Sequence, residues 1–207
     1  MKLRFFIVAA MFIAGIALYQ SLPDPMPIHW NFAGQPDDWG SKVWAAWLLP
    51  GLALLLTILF PIFAKIDPRH KNYEKFRKTW NGIQTAIVAF FGYMYGVMLY
   101  VLTAQADGEL MGRFMLAGIG LLFVILGNYM GKVRWNYFVG LKTPWALDDP
   151  EVWQKSQRFA GWFFVLGGLV FLFEAWWYQA FGLVFGITIT SVVLIPTVYS
   201  YWVSRKK

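Results

Sequence analysis

Apolar residues gather into six long runs separated by short polar connectors: Phe5–Ser21, Val43–Ala64, Ile83–Ala104, Phe114–Met130, Phe159–Trp177 and Ala180–Val203. A helix needs about 20 apolar residues to cross a hydrocarbon core of roughly 30 Å, and each run is close to that length. The pattern predicts an all-α fold, a polytopic six-transmembrane-helix bundle occupying residues 1–207 as one membrane domain. An even number of spans puts both termini on one side. The first run, preceded by Lys2 and Arg4, also has the outline of a secretory signal peptide. It is longer than a usual signal core and no A-x-A site precedes Leu22, so it reads as a retained span.

Composition agrees, with 58% hydrophobic and only 14% charged residues, where a soluble domain is nearer a quarter charged. The basic residues decide orientation. Of the 18, only Lys42 and Arg113 fall on one face, together with Asp24, Asp37, Asp38, Asp107 and Glu109. The others crowd the termini and the loops after the second and fourth spans. Because cytoplasmic flanks retain Lys and Arg, both termini are expected in the cytoplasm of a multi-pass cell-membrane protein. All 12 tryptophans fall in loops or near span ends, where amphipathic rings favour the headgroup level. The chain has no cysteine, which excludes disulfides, thiolate metal sites and thiol catalysis.

Within the spans, Gly92–Gly96, Gly127–Gly131 and Gly182–Gly186 have the G-x-x-x-G spacing that admits close helix approach, read here as packing within one bundle. Pro50, Pro61 and Pro196 are expected to bend or end their helices. Asp67-Pro68 and Asp149-Pro150 each read as an acidic cap before a first-turn proline. Glu74 and Lys78 would form an i,i+4 pair on the helix that follows Asp67.

Two connectors carry more than topology needs. The first, residues 22–42, is an extracytoplasmic loop rich in proline and tryptophan. Its prolines impose extended backbone, and Asn31, Gly34 and Gln35-Pro36 favour a turn. His29, Trp30, Asn31, Asp37 and Asp38 are candidate ligand-facing groups, joined by Glu174, the one acid inside a span, whose carboxylate would reach headgroups or water. Asp24, His29 and Asp37 together would be a thin metal set, and no metal or cofactor is expected.

The second connector lies within residues 127–161. Thr143-Pro144-Trp145 specifies a rigid turn, while Asn136 and Thr143 can bond loop backbone. Arg134, Lys142 and Arg158 can meet phosphates or a partner's carboxylates, and Trp135, Trp145 and Trp153 can anchor at the interface. A folded cap over the bundle's mouth meets these requirements. There is no nucleophile–base pair, and His29 and His70 fall on opposite faces, so the chain does not read as an enzyme.

This segment resembles the SdpI family, immunity proteins that protect sporulating Bacillus cells from their own peptide toxin. The resemblance rests on Asn128, Asn136-Tyr137-Phe138, Gly140, Thr143-Pro144-Trp145, Trp153 and Arg158. The outer loop is similar to the short domain of unknown function that accompanies this motif, at Pro23, Pro27, His29, Asn31, Gly34 and Pro36. The chain departs at Gln157, where the family commonly has a histidine. The resemblance implies a protein in the lipid bilayer that provides immunity against, or senses, an extracellular membrane-active peptide toxin. It further implies signalling to a cytoplasmic repressor protein, with no direct nucleic-acid binding. Arg134, Asn136, Tyr137, Gly140, Thr143, Pro144, Trp145, Trp153 and Arg158, with Asn128, are then the candidate partner-docking residues. The alternative is a small-solute or ion transporter or channel, a reading weakened by the scarcity of ionisable groups inside the spans.

Overall fold

The computed structural model describes residues 1–206. Its elements are α1 (Lys2–Leu18), a one-turn 3₁₀ segment (Tyr19–Ser21), β1 (Met26–Trp30), β2 (Pro36–Gly40), α2 (Lys42–Ile66), α3 (Asn72–Lys75), α4 (Arg77–Thr103), α5 (Gly108–Met130), α6 (Pro144–Asp148), α7 (Pro150–Trp177) and α8 (Phe181–Arg205). Six of the helices, α1, α2, α4, α5, α7 and α8, are long and apolar enough to cross a membrane. They therefore run between two ends: a basic end holding both termini, and a hairpin end holding β1 and β2. The protein is a polytopic all-α membrane protein, and among the described residues its strands are confined to this hairpin.

The bundle divides into two groups of three. α1, α2 and α4 pack on one another, α7 packs on both α5 and α8, and α4 against α5 joins the groups. The closest packing is between α5 and α7. A methyl group added at Gly127 would stand 2.6 Å from the Gly161 carbonyl oxygen, and one added at Gly120 would stand 2.8 Å from that of Gly168. Small residues seven apart on two antiparallel helices thus let the backbones touch at two levels. The G-x-x-x-G reading found only part of this arrangement. Gly96 and Gly186 have open space where a side chain would project, while Gly92 abuts Ile7 and Gly182 lies near Phe32. The three interior prolines end nothing: α2 continues through Pro50 and Pro61, and α8 through Pro196.

Helix starts follow local capping chemistry. The Asp107 carboxylate accepts from the Glu109 amide at the start of α5, and Asp149 accepts from Glu151 and Val152 at the start of α7. The parallel expectation for Asp67-Pro68 is corrected. No helix begins there; the chain turns through 67–71 into the short α3 and breaks again at Phe76 (φ −131°) before α4. That break lies between Glu74 and Lys78, so they do not share a continuous helix.

Residues 22–42 form a β-hairpin where the sequence suggested an extended loop with a turn. β1 and β2 are antiparallel, pairing Met26 with Gly40 and Trp30 with Pro36, with register irregularities on either side of His29. Asn31 makes the turn: its Oδ1 accepts from the amides of Ala33 (2.9 Å) and Gln35 (3.0 Å). Gly34 completes the turn at φ +75°, a conformation that favours glycine.

Candidate functional site

At the basic end, residues 132–149 fold into a rigid clasp. Asn136 is wholly buried and is its organising residue. Its Oδ1 accepts from the amides of Phe138 and Val139, both at 2.8 Å, and its Nδ2 donates to the carbonyls of Arg134 (2.8 Å) and Val139 (3.0 Å). Gly140 adopts φ +116° and passes against the Gln157 side chain. Gln157 holds both polar groups of Leu141, accepting from its amide and donating to its carbonyl at 2.9 Å each. A neutral two-way clamp therefore stands where the family commonly has a histidine.

Beyond it, Thr143 caps α6 through Ala146, with Pro144 in the first turn. Ser200 of α8 gathers three partners: Thr143 at 2.9 Å, the Trp145 indole at 2.8 Å and Ser156 at 2.7 Å. Trp153 is buried and donates to the Val133 carbonyl. The clasp thereby reaches α8 through Trp145, and it reaches α2 through Phe138, which stacks on Phe63 with ring centroids 5.0 Å apart.

The turn after α2 locks this loop in place, and sequence reasoning missed it. Asp67 is buried, and its carboxylate accepts from the amides of Arg69 (2.7 Å) and Tyr137 (2.9 Å) and the Tyr73 hydroxyl (2.9 Å). Arg69 lies over the Trp135 ring at 3.3 Å and the Tyr137 ring at 4.2 Å, and donates to the Leu147 carbonyl. Burial, then the bond to Asp67 and the charge of its carboxylate, push the Tyr73 phenol well above its ordinary pKa. The available signal was an acid in a strongly basic loop. It was spent on the expectation of a helix cap.

Several motif side chains point outward from this network. Arg134 is exposed, 3.4 Å from Gln154; Arg158 is exposed; Tyr137 keeps part of its ring in the open. Asn128 is exposed on α5 and donates to the Val124 carbonyl of its own helix, away from the clasp.

At the hairpin end, the strands roof a cavity of about 720 Å³. Ile28, Trp30 and Phe32 contribute from the hairpin, Leu48 and Leu49 from α2, Phe90 and Met94 from α4, Met111 and Met115 from α5, and Phe181 and Phe185 from α8. His29 Nδ1 and Asp37 Oδ1 pair at 2.5 Å on its rim, and both residues line it, as do Trp30 and Asn31. Asp38 is exposed on β2 beside them. Phe32 carries the hairpin across to α8, meeting Phe181 edge-on at 5.3 Å.

Asp24 accepts from the Lys42 amide instead of joining His29 and Asp37, and no cluster of metal-ligating groups occurs among the described residues. Glu174 does not line this cavity. It is only 3% exposed and accepts from the Ala180 amide at 2.7 Å, closing the turn into α8. Arg113 similarly ties α5 to the end of α7, donating to the carbonyls of Ala175 and Trp176.

Comparison with known proteins follows this division. A domain of unknown function, DUF1648, matches residues 6–54, which include the hairpin. The SdpI/YfhL protein family matches residues 132–200, which include the clasp, all of α7 and most of α8. The chain is 26% identical over 201 residues to the immunity protein SdpI of Bacillus subtilis (strain 168), covering 97% of this chain and 93% of that protein. No solved structure matches it significantly. With both regions present and similarity running almost end to end, the chain is an SdpI-like multi-pass membrane protein, similar to the SdpI/YfhL family over its last third.

Proposed function

We propose that this protein confers immunity against, or senses, an extracellular membrane-active peptide, with the hairpin end facing outward and the basic end in the cytoplasm. The observation that carries the reading is the apolar cavity beneath the hairpin, large enough to bury several side chains of a ligand. The likeness to a protein named for immunity supplies the biological context. A cytoplasmic repressor would dock on the clasp, where Arg134, its carbonyl held by Asn136, and Arg158 of α7 stand exposed and an acidic partner would find charge complementarity. The reading involves no catalysis.

The test is expression in a sensitive bacterium challenged with purified membrane-active peptides from strains that encode such proteins. Protected growth supports the proposal. Equal killing with and without the protein, at verified membrane expression, removes immunity. A pull-down from the same cells with Arg134→Glu and Arg158→Glu separates the docking claim from the protective one.

A further inference from the structure

The wall of the hairpin-end cavity is formed in turn by α2, α4, α5 and α8. α2 packs on α4 and α4 on α5, α7 packs on both α5 and α8, and Leu116 of α5 and Phe181 of α8 share one apolar cluster. The step from α8 back to α2 is different. No extended contact joins these two helices along the bundle. They are bridged near their ends: by the hairpin, which packs on α2 and reaches α8 through Phe32, and by the clasp, which joins Phe63 to Ser200. Both unusual connectors therefore span the same gap at opposite membrane faces.

We infer that the cavity opens sideways into the bilayer between α2 and α8, and that it takes the apolar face of a cationic amphipathic peptide already inserted in the outer leaflet. This rests on the immunity reading above and adds the route of entry and the chemistry of recognition.

Depth supports the lateral route. Phe90 lines the cavity thirteen residues before the end of α4 at Thr103, which is about 20 Å along the helix axis. The chamber thus reaches well into a hydrocarbon core roughly 30 Å thick, so a peptide lying in the outer leaflet meets it without leaving the lipid. Its lining also suits such a ligand. Met94, Met98, Met111 and Met115 supply unbranched thioether side chains that repack around varied apolar shapes.

Charge selects between the two apolar occupants a membrane offers. The rim presents Asp37, with Asp38 beside it. Carboxylates there repel the phosphate of a phospholipid and attract Lys or Arg flanking an apolar segment. His29, paired to Asp37, offsets that charge only when protonated.

The experiment uses the full chain in proteoliposomes. The probe is a synthetic 20-residue Leu/Lys amphipathic helix carrying one photoreactive leucine, run beside an anionic phospholipid with a photoreactive acyl chain. Peptide cross-links are expected at Met94, Met98 and Met115 in the unmodified protein. Met98→Trp, which fills the chamber, should abolish them. Asp37→Asn with Asp38→Asn should weaken peptide binding about tenfold near 0.01 M salt, and the difference should vanish near 1 M, where screening acts over about 3 Å. A bifunctional thiol reagent bridging Leu48→Cys and Phe185→Cys should block entry.

Cross-links confined to the outer face of the hairpin overturn the inference, as does lipid labelling of the chamber that the acidic substitutions leave unchanged while peptide labelling is absent. Failure of the immunity reading looks different: the peptide fills the chamber, yet producing cells die at the control rate. If cells are protected while Met98→Trp protects equally and no chamber cross-link forms, immunity stands and this site does not.

Discussion

Asp67→Asn should open the clasp while changing almost no shape. The carboxylate serves three donors: the Arg69 amide on Oδ1, and the Tyr137 amide and Tyr73 hydroxyl on Oδ2. An asparagine has one oxygen to offer. Whichever way its amide turns, an NH₂ group faces at least one N–H donor, and the remaining bonds lose their charge assistance. Tyr73 can rotate its hydroxyl to accept; the backbone amides cannot. Losing one buried bond and weakening a second amounts to about 2–4 kcal/mol of local stability. The loss falls on the opening of residues 132–149 more than on global unfolding, because Asp67 bonds to Tyr137 directly and Arg69 to Leu147. The absence of native cysteine makes the assay clean. Ala146→Cys places a thiol at a fully buried position inside the clasp, and its labelling by a maleimide reports how often the clasp opens. A cost of about 2–4 kcal/mol raises the labelling rate by between one and three decades, at about 1.4 kcal/mol per decade. A rise below threefold, in protein that remains folded in detergent, would refute the claim that Asp67 holds this loop.

Four further outcomes are expected. Gly127→Ala and Gly161→Ala should each destabilise the bundle by about 1–3 kcal/mol in a detergent unfolding titration, because the new methyl would stand under 3 Å from a facing carbonyl; Gly96→Ala, with open space beside it, should be neutral or slightly stabilising. Gln157→His should introduce a pH step that the parent lacks. Burial holds the imidazole below its ordinary range, so the step falls on the acid side of about pH 6.5; once protonated, the ring can no longer accept from the Leu141 amide, and labelling of Ala146→Cys should accelerate on acidification relative to the parent reporter. Glu174→Gln, which retains an acceptor for the Ala180 amide, should preserve protection and stability, whereas Glu174→Ala should cost about 1–2 kcal/mol in thermal unfolding. Tyr73 should lend stability below about pH 10 that is lost above it, because the folded state keeps the phenol's proton where the unfolded chain releases it; Tyr73→Phe should flatten that part of the stability–pH curve.

What the sequence made legible divides along physical lines. Hydrophobic run length and basic-residue asymmetry depend on composition within a window, so the six spans were visible without any long-range information. The structural helices extend past those windows, to Arg77 and Pro150, because local capping and turns set their ends. Asn136, Thr143 and Gly140 were recognisable because each acts on backbone a few residues away. Asp67, Arg69 and Ser200 were not. Their partners lie some 44 to 78 residues off in the chain, and nothing within a window distinguishes Asp67 from a helix cap or Ser200 from a packing serine. The hairpin escaped for the opposite reason. Strand prolines usually argue against pairing, but this two-stranded edge leaves positions where no amide is needed, and Pro27 and Pro36 occupy them.

The arrangement of the two connectors also bears on transport as the rival function. A carrier needs a site exposed to each face in turn, and usually ionisable groups to couple the movement. Here the basic end is closed by buried bonds that run from α2 through Asp67 and the clasp to Ser200. Glu174, the acid enclosed by the apolar runs, is committed to the α7–α8 turn, where a neutral amide would serve the same purpose. The apolar chamber lies beneath the other connector, and the helices bounding its remaining side share no extended packed seam. A ligand that enters such a chamber from the lipid has nowhere further to go. Holding it there removes it from the bilayer without moving it across, and a protective protein needs nothing more.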